Sequence, residues 1–443
     1  MKNSMRKLTA LLLAVLILLL PACAGGSKLP APPEMSAEER SAVLAIPEGY
    51  TPEQVLILSR HHIRSPLTGS GSDLARMTDG EWFAWTSPAG QLSLKGGLLE
   101  TEMGQFFRKY LEGCGFMEEN AMPDETAFRF YANSKQRTIA TAAYFLAGFL
   151  PAAGRTVEYH ADFDTMDPVF NPIVTVCSPE FLAQANAALN EMSVTGKIAT
   201  IAEGKKEAMA TLEKALGFAD SAYAKEKGIR SFALDDTEVA FEIGKEPTMT
   251  GGLRTALSAA DALTLQYFEE ADDAKAGFGK TLTAAEWKQI GAIVDLYQGT
   301  LFTAYPVAVN VAHPLLQEME MELSNGNRRF SYLCGHDSNL GSVLAALEVE
   351  DYTAPDSITN GTPIGGKLTF MTLRNANGDK FVKLMLIYQD SAQLRGCEML
   401  GEDDPPVAVV LHLRGMNCND DGLYAYDDVI ARFEKAIDAY NAF

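Results

Sequence analysis

VLILSRHHIRSPL, residues 55–67, decides how this chain is read. Val55, Leu56, Ile57 and Leu58 are strand formers with no polar residue among them, the composition of a strand buried on both faces. Arg60, His61, His62 and Arg64 then crowd into five consecutive positions, followed by Ser65 and Pro66. A strand apolar on both sides belongs to a sheet covered by helices. In such sheets ligands bind beyond the carboxyl ends of the strands, and the basic cluster stands at that end. Arg60 lies one place before His61 and Arg64 three places after it, so a tight turn can aim all three at one anion. Guanidinium forks match phosphate oxygens in pairs. An imidazole between two guanidiniums is a poor general base, but it suits nucleophilic attack on phosphorus. The plainer alternative is a solvated basic turn.

Outward from this stretch, strands and helices alternate. Residues 128–132, 329–334, 367–373, 383–389 and 407–413 have strand composition, and Asn377-Gly378 marks a hairpin between the third and fourth. Helical spacing covers 95–112, 339–347 and 427–441, and a further helix runs to about 150 behind an Asn133-Ser134 cap. This pattern predicts an α/β fold with an open, mostly parallel sheet covered by helices. Between about 180 and 325 the composition turns to Ala, Leu, Glu and Lys at helical spacing, with no convincing strand. The expected division is an α/β catalytic domain of residues 47–178 and 326–443, split by a mostly helical insertion at 179–325.

Two more strand ends carry unusual chemistry. Asn133-Ser134-Lys135-Gln136-Arg137 places Arg137 in the first turn of a helix, where free N–H groups already favour anions. Alone, such an arginine is a surface residue. Gly335-His336-Asp337-Ser338-Asn339 offers a hydrogen-bond donor in His336 and a proton donor for a departing alcohol in Asp337. A metal site would need further ligands at a familiar spacing, and none is at hand. The bland reading is a helix N-cap beside a satisfied histidine. Together, three arginines, two histidines and one acid suffice for a phosphate ester without metal or cofactor, because phosphoryl transfer is mainly positioning and charge stabilisation.

Bulk properties narrow the partners. The formal net charge of -21 over 443 residues makes nucleic acid an improbable ligand. It also repels anions at long range, so a local basic cluster must win at short range. Lys2, Arg6 and Lys7 precede 13 mostly apolar residues, 8–20, too few to span a bilayer. Leu20-Pro21-Ala22-Cys23 follows and resembles a bacterial lipobox. Residues 1–22 then form a lipoprotein signal peptide, Cys23 carries lipid, and residues 23–46 form a tether. The expected location is the bacterial cell envelope, with the membrane touched only through the anchor. Beyond Cys23 five cysteines remain, an odd number without metal spacing, so at least one thiol is free and no disulfide framework is expected.

The pairing of Arg-His-x-x-Arg-x-Pro with a late His-Asp resembles the histidine acid phosphatases. The likeness is strongest to bacterial periplasmic glucose-1-phosphatases, with bacterial phytases further off. It extends through YANSKQRTIATA, TMDPVFNPIVT, TLQYFE, GHDSNL and TPIGGKL, in order along the chain. The resemblance implies a phosphoglycerate-mutase-like fold. It implies His61 as the nucleophile of a phosphohistidine, with Arg60, Arg64, Arg137 and His336 cradling the phosphoryl group. Asp337 would protonate the leaving alcohol and then deprotonate water. Glu246, in GKEPTMTGG, would stand over the pocket mouth, disfavouring polyanions such as phytate and tolerating a neutral sugar. The plain alternative for Glu246 is a surface loop. Asp167 and Asn171 fall in a shared segment and are taken as structural.

Two departures stand out. His62 replaces the smaller residue expected after the nucleophile, which puts a titratable ring beside the site. Cys418 lacks the partner of the family's C-terminal disulfide, since Tyr424 and Tyr426 supply none. The expected function is hydrolysis of a small-molecule phosphate monoester, glucose 1-phosphate or another sugar phosphate. The alternatives are an inositol-phosphate phosphatase, a catalytically silent phosphate-binding lipoprotein and, third, a mutase.

Overall fold

The structure is a computed structural model that describes residues 34–67, 72–152 and 154–443. The signal segment and Cys23 lie outside the described residues. The strands are β1 (Tyr50–Arg60), β2 (Phe128–Ala132), β3 (Glu238–Ala240), β4 (Thr248–Thr250), β5 (Phe330–Gly335), β6 (Lys367–Asn375), β7 (Lys380–Tyr388), β8 (Val407–Val410) and β9 (Tyr424–Ala425). The helices begin with α1 (Ala37–Leu44), α2 (Leu94–Gly113), α3 (Gln136–Phe149), α4 (Pro179–Glu191), α5 (Lys206–Leu216) and α6 (Ala222–Lys227). They continue with α7 (Gly252–Glu269), α8 (Asp273–Ala276), α9 (Ala284–Phe302), α10 (Tyr305–Ser324), α11 (Asp337–Ala346), α12 (Ser391–Gly396) and α13 (Tyr426–Ala439).

Seven strands form one open sheet in the order β2-β5-β1-β6-β7-β8, with β9 also on β7. The expected α/β fold is present, and its sheet is mixed. β2, β5 and β1 run parallel, whereas β6, β7 and β8 pair antiparallel. The register sets up the site. Arg60 pairs with Gly335 and Ala132 with Cys334, so three chains leave the sheet side by side at residues 61, 133 and 336.

Period-two alternation sorts the core into two layers. Val55 and Ile57 of β1 pack with Phe107, Phe145 and Phe149 of α2 and α3. Leu56 and Leu58 pack with Leu315, Leu340 and Phe433 of α10, α11 and α13. Each of these side chains is essentially buried, worth about 1.5–3 kcal/mol of transfer free energy apiece. A third core joins Phe181, Met209, Leu253, Trp287 and Ile290 of α4, α5, α7 and α9.

Three features differ from the sequence-based expectation. Residues 37–44, expected within the tether, form α1, because Arg40 is buried against Asp390 and Asp356 at 2.6 and 3.1 Å. The insertion includes a two-stranded ribbon, β3 with β4, too short and too exposed to show a strand pattern. Its last helix, α10, buries one face against α11 and α13 and so belongs to the sheet's cover.

Candidate active site

The loop after β1 is fixed from both sides. Ser93 N–H donates to the Ile63 carbonyl at 2.9 Å and Ser65 N–H to that of Gln91 at 3.0 Å. His61 N–H donates to the Gly335 carbonyl, and the His61 and His336 rings meet edge to face at 5.4 Å. His61 Nδ1 lies 2.9 Å from the His62 carbonyl oxygen. A carbonyl only accepts, so Nδ1 carries the hydrogen and the Nε2 lone pair is free. Burial holds the His61 pKa well below its ordinary value, reinforced by Arg137 and then by His336, Arg64 and Arg60.

His336 is oriented by Asn133. The Asn133 oxygen accepts from Asp167 N–H at 2.9 Å, which makes its amide nitrogen the donor to His336 Nε2 at 2.6 Å. In the neutral ring Nδ1 then carries the hydrogen. Arg137 Nη2 stands 3.3 Å from that nitrogen, so two donors face one another. Donors in that arrangement call for an acceptor between them, and a phosphoryl oxygen has the needed charge. Burial, then the Arg137 and Arg64 charges, holds the His336 pKa well below its ordinary value, and burial, then the Arg64 charge, lowers Arg137 to about 10.

Asp337 opens α11. Its Oδ1 accepts from Ser338 N–H at 2.9 Å and its Oδ2 lies 3.1 Å from Arg60 Nη2. Arg60 also donates to the Thr362 carbonyl. Asn133 and Ser134 do not cap α3. The cap is Lys135, while Ser134 accepts from Ala161 N–H at 3.0 Å. Asp167 is buried, accepting from the Tyr131 hydroxyl and the N–H groups of His160 and Val169, as a structural residue should.

His61, Arg64, Arg137, His336, Asp337 and Glu246 line one cavity of about 240 Å³. Arg60, expected among them, stands behind Asp337 and outside the lining. Glu246 is an exposed residue of this lining, and partial loss of solvent around its carboxylate, then the Asp337 charge, raises its pKa. The opposite wall comes from α7 and α9, through Arg254, Ser258, Asp261, Tyr297 and Gln298. Among the described residues no group of three or more His, Cys, Asp and Glu is arranged to hold a metal ion.

His62 does not crowd this cavity. Ile63 N–H donates to its Nδ1 at 3.0 Å, so Nε2–H donates to Gln389 at 3.2 Å. The ring turns away onto Gly365, where a Cβ would stand 2.6 Å from it and φ is +67°. Burial and then the Lys367 charge push its pKa down to about 3. The five described cysteines, Cys114, Cys177, Cys334, Cys397 and Cys418, are all free.

Sequence reasoning missed several supports. Asp261 reaches Arg64 with both oxygens, at 3.2 and 3.3 Å. Its signal was a charge inside the apolar run Ala259-Ala260-Asp261-Ala262-Leu263. Beneath the site Lys367 and Glu100 form a fully buried pair at 2.8 Å, joined by the Tyr332 hydroxyl. Its signal was a lysine opening an apolar strand.

Comparison with known proteins shows the family. Residues 53–386 match the histidine phosphatase superfamily (branch 2). The glucose-1-phosphatase of Salmonella typhimurium is 36% identical over 387 residues, covering 86% of this chain and 91% of that protein. The glucose-1-phosphatase of Providencia rettgeri is 33% identical, covering 92% and 96%. The phytase structure from Citrobacter braakii superposes with a TM-score of 0.79 at 25% identity, over 87% of this chain and 97% of that one. The chain belongs to the histidine phosphatase superfamily, branch 2, and is a histidine acid phosphatase, a hydrolase of phosphate monoesters.

Proposed function

We propose that this enzyme hydrolyses glucose 1-phosphate, or a similarly uncharged sugar phosphate, through a phosphohistidine on His61 and without a metal. The observation that carries this reading is the His61 tautomer, which leaves the Nε2 lone pair free on a ring that lines the cavity with Arg64, Arg137, His336 and Asp337. His61 Nε2 attacks phosphorus as the ester P–O bond breaks, and Asp337 gives its proton to the departing alkoxide. Water then attacks the phosphorus, Asp337 takes a proton from it, and the P–N bond breaks to release inorganic phosphate. Arg64, Arg137 and His336 hold the phosphoryl oxygens. Arg60 adds its charge from behind and takes up the phosphoryl group as Asp337 turns to the leaving oxygen.

Glu246 supports a neutral sugar over a polyanion, because a carboxylate at the mouth repels further phosphates. The insertion, through α7 and α9, then selects the leaving group. The basic leader and the Leu20-Pro21-Ala22-Cys23 pattern support export and a lipid anchor on Cys23 at the cell envelope.

The test is phosphate release by the soluble segment 27–443, in chelator, at acidic and neutral pH. Glucose 1-phosphate should be preferred to phytate, and His61→Ala should lower turnover at least about a thousandfold. Phytate as the better substrate would move the reading to an inositol-phosphate phosphatase. Tight phosphate binding without turnover would leave a silent binding lipoprotein.

A further inference from the structure

Two carboxylates already occupy two of the three arginines assigned above to phosphate. Asp337 rests on Arg60, where its part in proton transfer explains its place. Asp261 rests on Arg64, and no proton step needs it. Both Asp261 oxygens lie within 3.3 Å of Arg64 Nη2. Arg64 Nη1 is spent on the Ser65 carbonyl at 3.2 Å. The Arg64 side chain is 8% exposed and that of Asp261 21%, so water screens the pair only in part. Asp261 projects from α7 into the cavity wall, alongside Arg254 and Ser258.

A phosphoryl group docking on Arg64 has to share the guanidinium with Asp261. Two anions on one cation repel each other and weaken each other's hold. The need for such weakening is plain. Arginines and the His336 donor around one small anion make inorganic phosphate, the last product, a natural inhibitor. A site complementary to the transferring group should not also retain what is left when transfer is over.

We propose that Asp261 is the counterweight of this site: it keeps the Arg64 fork aimed into the cavity and loosens the grip on phosphate, so that product leaves. It touches no reacting atom and is a positioning residue. The proposal rests on the phosphate-docking reading of the previous subsection.

Asp261→Asn keeps an oxygen for Arg64 and removes the charge. Against nitrophenyl phosphate hydrolysis, the inhibition constant of inorganic phosphate should fall roughly three- to tenfold, a repulsion softened by residual solvent. KM should fall with it, and kcat should not rise. Asp261→Ser should shift both constants the same way. Calorimetric titration of phosphate into His61→Ala, with and without Asp261→Asn, reads the same affinity change without turnover. A merely structural Asp261 would lower Tm and leave phosphate affinity unchanged or weaker, and that outcome in a folded variant overturns the proposal. Arg64→Ala separates the two layers. If it weakens phosphate binding while Asp261→Asn fails to tighten it, the counterweight alone is lost. If Arg64→Ala leaves phosphate affinity untouched, the docking reading is lost and the counterweight with it.

Discussion

At the scale of the residue, the protonation of His61, the proposed nucleophile, should set the acid side of the rate profile. Its pKa is depressed by burial first and by Arg137 next. As pH falls through the ordinary imidazole range near 6.5, His61 therefore stays neutral and nucleophilic. The acidic limb of kcat/KM should lie well below 6.5. Arg137→Gln removes the leading charge but not the burial, so the limb should move up toward 6.5 without reaching it. The same variant should lose about 100- to 1,000-fold in kcat, the usual effect of removing one donor to a transferring group. A pH–rate series on both proteins checks this, and an unmoved limb would dissociate Arg137 from His61. His61, Arg64, Arg137, His336 and Asp337 were legible in the sequence because rare, reactive side chains clustered at the ends of apolar strands. Asn133 was not, because an asparagine before a helix can cap it or reach elsewhere. The direction of His62 depended on Gly365, more than three hundred positions away and invisible to local pattern.

At the scale of the element, α7 and α9 each clamp one arginine of the site through a carboxylate. Asp261 of α7 holds Arg64 directly. Asp295 of α9 accepts from Asn360 and Gly361 N–H at 2.7 and 3.0 Å, and the next residue, Thr362, gives its carbonyl to Arg60. α9 lies against this loop at Gly291, where a Cβ would stand 1.9 Å from the Ile358 carbonyl oxygen. Gly291→Ala should push helix and loop apart at about 1–3 kcal/mol. Thermal unfolding should register that loss, and kcat should fall several-fold through Arg60, roughly tracking the strain. Gly299→Ala on the same helix is the control, since its Cβ would have no neighbour closer than 3.7 Å. Equal losses in both variants would show a general helix effect and no clamp. Helical spacing revealed that α9 and α10 have buried faces. It could not say that one packs on a loop at the site and the other under the sheet, because an apolar stripe records burial and not its partner.

At the scale of the molecule, a cavity in which three arginines face three carboxylates sits inside an acidic chain. The formal charge is -21, and removing residues 1–22 with Lys2, Arg6 and Lys7 takes it to -24. No helix among the described residues is long and apolar enough to cross a membrane. The composition announced the surface charge and the strand ends announced the cavity, but only the fold separates the two in space. Their ranges differ, and that difference is measurable. Surface charge acts over distances that salt cuts from about 30 Å at 0.01 M to about 10 Å at 0.1 M. Arg64 and His336 are buried and Arg137 is half-buried, so contacts to them are screened far less. Raising ionic strength over that interval should thus relieve long-range repulsion more than it weakens binding in the cavity. The relief grows with ligand charge, so it should be larger for phytate than for glucose 1-phosphate. The ratio of kcat/KM for phytate to that for glucose 1-phosphate should rise about two- to fivefold with salt. Glu246→Gln should raise the same ratio already at low salt, because it removes the carboxylate proposed to repel further phosphates. A ratio that falls with salt would mean that phytate is held by exposed cations near the mouth, with Arg254 the first to replace.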